Sequence, residues 1–500
     1  MTSANGSART TSETVTVAVI GAGFSGLGAA IKLRENGFTD FVVLERESDV
    51  GGTWQVNTYP GAQCDVPSPL YSYSFLPNPE WSRMYPLQAE IQSYLRRSAE
   101  RYGVLPHIRF GREAEECRWD EEAQRWIVRT DAGVVHARFL IAGFGPFSAP
   151  SIPEFPGIDE FAGVAYHSAH WDHEHDLTGR RVAVIGTGAS AVQFIPRIQP
   201  RVERLSVFQR TPIWVAPQMD KATNAFVRGL WRRIPATQKA MRAAFATLFE
   251  ALVPLFTRYP KLLAGLEKTA HKNIQRHIGD PRLREALTPA YRFGCKRPTF
   301  SDTYYPALAA PNVEVITSGI DRIDATGIVT ADGTHHRVDT IIYGTGFRVN
   351  NHPICERIIG RDGKTLADLW AGDPEAYLGT MVSGLPNMFM LLGPNSVPYT
   401  SAVVTIEAQL AYVIDALRRV TTAGIGSIDV KPEVQSAFNA QLDRDLSRSV
   451  WATGGCRSYF MGTKGRVFAF WPGFANQFAR RTRRVNLADH KVVEKIPVIA

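Results

Sequence analysis

The chain has 500 residues, 44% of them hydrophobic and 21% charged, with a formal net charge of +8. These are the proportions of a globular enzyme with room for roughly two to four cored domains. Its five cysteines, Cys64, Cys117, Cys295, Cys355 and Cys456, are odd in number and widely scattered. That spacing speaks against a disulfide framework and a zinc site, and predicts reduced thiols in a cytoplasmic protein. No run reaches the about 18 apolar residues of a membrane span. The clearest basic run, Arg480-Arg481-Thr482-Arg483-Arg484, is expected as a solvated face or a general attractor of polyanions, with no nucleic acid as partner.

In chain order, residues 1–13 are polar and small, without an apolar core, and are expected as a disordered tail. An apolar strand at 15–20 then runs into Gly21-Ala22-Gly23-Phe24-Ser25-Gly26, and a second strand at 41–44 ends in Glu45. The run 139–142 closes this first α/β unit at Gly143-Phe144-Gly145, before a connector with Pro146, Pro150, Pro153 and Pro156. A strand at 182–185 enters a second loop, Gly186-Thr187-Gly188-Ala189-Ser190-Ala191, and the next strand, 205–209, ends in Arg210-Thr211. Residues 220–287 turn helical, with Phe226, Leu230, Ile234, Leu248, Leu252 and Leu255 on helical spacing. A late strand at 338–342 returns to a Gly-rich turn at Tyr343-Gly344-Thr345-Gly346.

The predicted fold is therefore α/β, with two Rossmann-like dinucleotide-binding domains and a helical insertion. The first domain is expected over 14–145 plus 385–500, and the second over 146–219 plus 288–384. The insertion is expected over 220–287.

In each loop the first glycine makes the tight turn and the second lets backbone approach a pyrophosphate. The third position, Gly26 or Ala191, allows close helix–strand packing. Glu45 lies about twenty residues beyond the first loop, where a carboxylate accepts ribose hydroxyls and repels an added phosphate. Arg210 holds the corresponding place after the second loop, and its fork fits a 2′-phosphate, favouring NADPH over NADH. A solvated surface arginine is the alternative. Two dinucleotides on one chain imply electron transfer between cofactors.

Residues 161–172 (FAGVAYHSAHWD) fit FxGxxxHxxxW[P/D], with His167 and Trp171 at the fixed positions. A second pattern, [A/G]GxWxxxx[F/Y]P[G/M]xxxD, is met by Gly51, Gly52, Trp54, Tyr59, Pro60, Gly61 and Asp65. With both loops, the chain resembles the type I Baeyer–Villiger monooxygenases from about Val15 to Pro472. That resemblance implies FAD, NADPH, O2 and a ketone, with an ester or lactone formed through a peroxyflavin.

The resemblance also implies roles. Arg297, in Gly294-Cys295-Lys296-Arg297-Pro298, would stabilise the peroxide and the adduct oxyanion. Asp65 would pair with it near the flavin, though a turn-capping aspartate is the plainer alternative. FAD would be held by Gly21, Gly23, Ser25, Gly26, Glu45, Thr53, Trp54, Asp65, Tyr71 and the Ala114 backbone, with the turn at 393–396 facing the flavin ring. Trp54 and Tyr71 also fit as core aromatics. NADP would be held by Gln63 and Cys64 through backbone, by Gly186, Thr187, Gly188, Ala189 and Ser190, and by Arg210, Thr211, Lys296 and Tyr459. His167 is read as a hinge contact that gates domain rotation. No metal site is expected. A monomer or weak homodimer is expected, and an N- or S-oxygenating flavoenzyme is the runner-up, set apart by Trp171-Asp172. A non-catalytic redox sensor is a third reading.

Overall fold

The computed structural model describes residues 11–496. The expected tail divides there: residues 1–10 lie outside the described residues, whereas Thr11, Ser12 and Glu13 belong to the strand Thr11–Ile20 and pair with Gly133, Val134 and Val135. Backbone pairing to a neighbouring strand overrides their polar composition.

Thr11–Ile20 is central to an eight-stranded sheet, parallel to Phe41–Leu44 on one side and to Gly133–Ala142 on the other. Val17, Ala18 and Val19 are fully buried, as in a strand covered on both faces, and their unbroken apolar run follows from it. Helices Phe24–Glu35 and Ala402–Thr422 pack on one face. Antiparallel strands Glu116–Asp120 and Arg125–Thr130 extend the sheet. The chain rejoins its core from Ile354, earlier than residue 385, and adds Ile358–Ile359 and Met388–Met390.

The second sheet has five parallel strands in the order Val313–Ile316, Arg204–Phe208, Arg181–Ile185, Thr340–Tyr343, Val164–His167. Arg181–Ile185 has Arg204–Phe208 on one side and the late Thr340–Tyr343 on the other. The second glycine loop follows this strand, at the switch point where open α/β sheets bind ligands. The helical insertion leaves after Val215–Ala216 and returns before Thr299–Phe300, and these two short strands pair in parallel. Between them lie helices Ala225–Arg233, Pro235–Thr257, Ala264–His277 and Pro281–Ala286.

One expectation is qualified and one is overturned. Helix Pro235–Thr257 has 23 residues and an 18-residue window of mean hydropathy 1.3, long and apolar enough to cross a membrane. Counting unbroken apolar runs missed it, because Lys239, Arg242 and Glu250 interrupt the run without lowering the window average enough. Only 17% of that window is buried, and polar bonds fix the helix along the protein. Gln238 Nε2 donates to Asn78 O at 2.6 Å, Arg242 Nη1 to Ser72 O at 2.7 Å, and Glu250 accepts from Ala475 N at 2.9 Å.

The second correction concerns the thiols. Cys295 and Cys456 form a disulfide with their Cα atoms 6.0 Å apart, leaving Cys64, Cys117 and Cys355 free and buried. Scattered spacing in sequence does not exclude neighbours in space. Here the fold brings together residues 161 positions apart, and Gly454 makes room: a methyl on it would stand 2.7 Å from Cys295 Cβ.

Candidate active site

The two glycine loops have the shape a pyrophosphate needs. A Cβ on Gly26 would lie 1.7 Å from Gly21 O, so helix Phe24–Glu35 can approach its strand only with glycine there. Gly23 is more open, with Gly52 Cα 3.4 Å from its Cβ position, and it begins the helix with no side-chain cap. In the second loop a Cβ on Gly186, at φ +102°, would meet Gly344 O at 2.5 Å. Gly188 meets only one atom, at 3.7 Å, and it too begins an uncapped helix, Ala189–Ile198. Unpaired N–H groups at both helix starts suit a dinucleotide's phosphates. Ala191 is fully buried where Gly26 stands in the first loop, and Thr187 Oγ1 donates to Thr211 O at 3.3 Å.

Glu45 is buried at the end of its strand, where its carboxylate accepts from Ala22 N at 2.5 Å and Glu47 N at 2.9 Å. Burial raises its pKa, and these two amides oppose the rise. Lone pairs remain for ribose hydroxyls. Ser25 is buried in the first turn of helix Phe24–Glu35. Thr53 opens the short helix Thr53–Val56, and Trp54 Nε1 donates to Tyr71 OH at 3.0 Å, so these two aromatics pack as a bonded pair against the first core. Ala114 is buried, and its carbonyl accepts from Arg357 Nη1 at 3.4 Å. Ser396 is buried in the 393–396 turn. After it, Ser401 caps helix Ala402–Thr422 by accepting from Val403 N at 3.2 Å.

Charge converges between the two loops. Arg297 donates twice to Asp65, Nε to Oδ2 at 2.9 Å and Nη2 to Oδ1 at 2.7 Å. The Asp65 carboxylate raises the Arg297 guanidinium further above its ordinary pKa, against the effect of burial. Arg297 is thus a fixed cation in a planar two-bond fork. Next to it, burial and the nearby Arg210 charge lower the Lys296 pKa. Neither Lys296 nor Arg210 has an ion-pair partner among the described residues, so two like charges face one another with no carboxylate between them. A 2′-phosphate supplies that missing anion. Tyr459, 39% exposed, adjoins the group and feels the Arg297 and Asp65 charges. Tyr399, which sequence reasoning missed, also feels the Arg297 and Asp65 charges and stacks on Phe256 at 3.9 Å. Only its place just beyond the 393–396 turn signalled it.

Gln63 and Cys64 lie in a hydrogen-bonded seam. The Gln63 amide donates to Gln193 Oε1 at 3.3 Å, its carbonyl accepts from Gln193 Nε2 at 2.8 Å, and the Cys64 amide donates to Pro86 O at 3.0 Å. Their backbone donors are engaged within the protein, while their carbonyls keep spare acceptor capacity. Gln193, unmarked in the sequence, is the hub of this seam and also accepts from Tyr59 OH at 3.0 Å.

His167 ends the strand Val164–His167, in register with Tyr343 beside the late Gly-rich turn. Its Nδ1 accepts from Ala169 N at 3.1 Å, which puts the neutral ring's proton on Nε2. Burial lowers its pKa to about 4, and the Gly346 backbone opposes this only in part. The ring is therefore neutral near pH 7. Trp171 packs against Tyr166 and Phe194, and Asp172 Oδ1 accepts from the amides of Glu174 and His175. His173 bonds Thr58 Oγ1 and His175 bonds Thr340 Oγ1.

Known proteins share this arrangement. Residues 18–224 match the family model for pyridine nucleotide-disulphide oxidoreductase. A Baeyer–Villiger monooxygenase of Streptomyces coelicolor is 47% identical over 487 residues, covering 97% of this chain and 94% of that protein. A closed crystal structure of cyclohexanone monooxygenase superposes with a TM-score of 0.86 at 29% identity, over 97% of this chain and 100% of that one. The OTEMO complex with FAD and NADP gives a TM-score of 0.87 at 29% identity, with the same coverage. Sequence identity of this extent, over a shared two-loop fold, makes the chain a member of the Baeyer–Villiger monooxygenase family.

Proposed function

We propose that this enzyme binds FAD at the first loop and NADPH at the second, and inserts one oxygen atom of O2 beside a ketone carbonyl to give an ester or lactone. The observation that carries this reading is the Arg297–Asp65 fork next to the unpaired Lys296 and Arg210. The OTEMO structure in complex with FAD and NADP supports the cofactor pair. Reduced flavin supplies the reaction with O2 (the chemistry belongs to the cofactor). The chain supplies orientation and charge.

Asp65 holds the guanidinium in one orientation, so Arg297 meets a developing oxyanion on the ketone oxygen without reorganising. Arg210 and Lys296 select the phosphorylated ribose. Neutral His167 supports the late Gly-rich turn by packing, its ring against Phe347 and its Nδ1 fixed by the Ala169 amide, as a hinge contact and not as an acid or base.

The test is product analysis by mass spectrometry across cyclic, linear and aromatic ketones, with NADPH and O2. Ester or lactone is expected from the wild type, and Arg297→Ala should lower its rate by about 10²–10³ while retaining FAD. Normal ester formation by Arg297→Ala, or NADPH oxidation by the wild type with no oxygenated product from any ketone class, would overturn the proposal.

A further inference from the structure

We propose that the outer face of the helical insertion docks the enzyme onto an anionic phospholipid surface. The insertion presents large apolar side chains to water: Phe226 is 78% exposed, Ile234 50%, Leu248 57%, Tyr259 59% and Leu262 65%. Leu248 lies on helix Pro235–Thr257, about 34 Å long at 1.5 Å per residue, with Ile234 just before it and Tyr259 just after it, while Phe226 lies on helix Ala225–Arg233 and Leu262 in the turn that follows. The helix packs Met241, Phe245, Phe249, Val253 and Phe256 against the protein body, yet its outward side is also poor in charge, unlike the polar outer face usual for a surface helix. Its inward face holds Gln238, Arg242 and Glu250 in bonds to the protein body. Its outward face carries Leu248, with Lys239 as the one charge.

Charge chooses the occupant. Residues 221–277 hold eleven Lys and Arg against Glu250 and Glu267 alone, an excess of nine that exceeds the +8 of the whole chain. The rest of the protein is thus close to neutral. Arg233, Arg258, Lys261 and Lys268 have no ion-pair partner among the described residues. They also adjoin the exposed apolar groups in sequence: Arg233 with Ile234, Arg258 with Tyr259, Lys261 with Leu262, Lys268 near Leu266.

A basic surface studded with Leu, Phe and Tyr fits an anionic bilayer, where apolar groups enter the acyl boundary while Lys and Arg meet the phosphates. A second copy would set two such basic faces against each other, and like charge opposes that pairing. Because the inner face is fixed to the protein, the helix lies on the membrane and does not cross it.

The experiment is co-sedimentation of the purified holoenzyme with vesicles of phosphatidylcholine alone and of phosphatidylcholine mixed with phosphatidylglycerol. Binding is expected to the mixed vesicles only, and to weaken with added salt. Leu248→Glu and Leu262→Glu should each lower partitioning about tenfold or more. Lys261→Glu should lower it about fivefold or more. All three sites are exposed and far from the cofactor loops in sequence, so NADPH turnover with a water-soluble ketone should stay unchanged. Three outcomes would overturn the proposal: no binding to either vesicle, equal binding to both, or concentration-dependent dimerisation that the same substitutions abolish.

Discussion

Breaking the Cys295–Cys456 bridge with Cys456→Ser should destabilise the lobe that carries Arg297. The bridge closes a loop of 161 residues, and chain entropy for that length gives an upper figure of about 5 kcal/mol. The real loss should be smaller. The same two segments are also joined by the hydrogen bond from Arg292 N to Gly454 O at 2.9 Å, and Cys295 sits in a core cluster with Trp214, Phe256 and Trp451. A loss of about 2–4 kcal/mol is expected. Tryptophan fluorescence, to which Trp214 and Trp451 of that cluster contribute, follows thermal unfolding. A thiol reductant should lower the wild-type midpoint and leave that of Cys456→Ser unmoved. Arg297 lies two residues beyond Cys295, so the variant should also turn over more slowly and release more uncoupled peroxide, because its cation is held less firmly. Thiol titration of the unfolded, unreduced wild type should find the three free cysteines. Five reactive thiols, or a wild-type midpoint indifferent to reductant, would refute the reasoning.

Arg210→Ala should raise the KM for NADPH tenfold or more while leaving turnover at saturation nearly unchanged, since a charged hydrogen bond contributes about 1.5–3 kcal/mol; steady-state kinetics with NADPH and NADH check this, and equal use of both by the wild type would contradict it. His167→Gln should keep part of the activity, because Gln can still accept from the Ala169 amide and fill much of the ring's place. Its pH–rate profile should match the wild type, whose His167 is already neutral above about 4, and loss of a limb near ordinary His ionisation would contradict the hinge role. Stability should fall as pH drops from about 6.5 towards 4, because His167 and His352 are both lowered to about 4 by burial, and the unfolded chain binds protons there that the folded chain refuses. Each contributes up to about 3 kcal/mol, and urea midpoints across that range measure it.

The dinucleotide loops were legible because glycine is demanded by backbone contact: no side chain fits at Gly26 or Gly186. Arg297 and Asp65 were legible only through the resemblance, since nothing local announces a pair separated by 232 residues. The disulfide was illegible for the same reason, with no family pattern to supply it. Thr11–Glu13 misled because a polar strand is stabilised by its neighbour, and a single sequence does not show the neighbour. Gln193 sits on the helix behind the second loop, where its side chain looks like an ordinary polar position. Its role emerges only when Gln63 is folded against it.

The Gly51-to-Asp65 signature gains a physical reading from these contacts. At one end, Gly52 has φ +55° and its Cβ position lies 3.0 Å from Gly23 Cα, so the segment lies on the first dinucleotide loop. In the middle, Gly61 has φ +85° and its Cβ position lies 2.8 Å from Gln193 O, so the segment touches the helix behind the second loop. Tyr59 and Ala62 pack into the core of the second sheet although the strands before and after them belong to the first. At the other end Asp65 grips Arg297. One stretch of fifteen residues therefore touches both nucleotide loops and the cation between them. Three of its fixed residues answer to separate contacts: Gly52 and Gly61 to backbone conformation and closeness, Asp65 to charge. The joint is mostly polar, through Gln63, Gln193, Tyr59 and the Arg83–Asp220 pair at 2.8 Å. Polar seams of this kind can re-form in a shifted register more readily than an apolar core, which is the property that a hinge between two nucleotide domains would need.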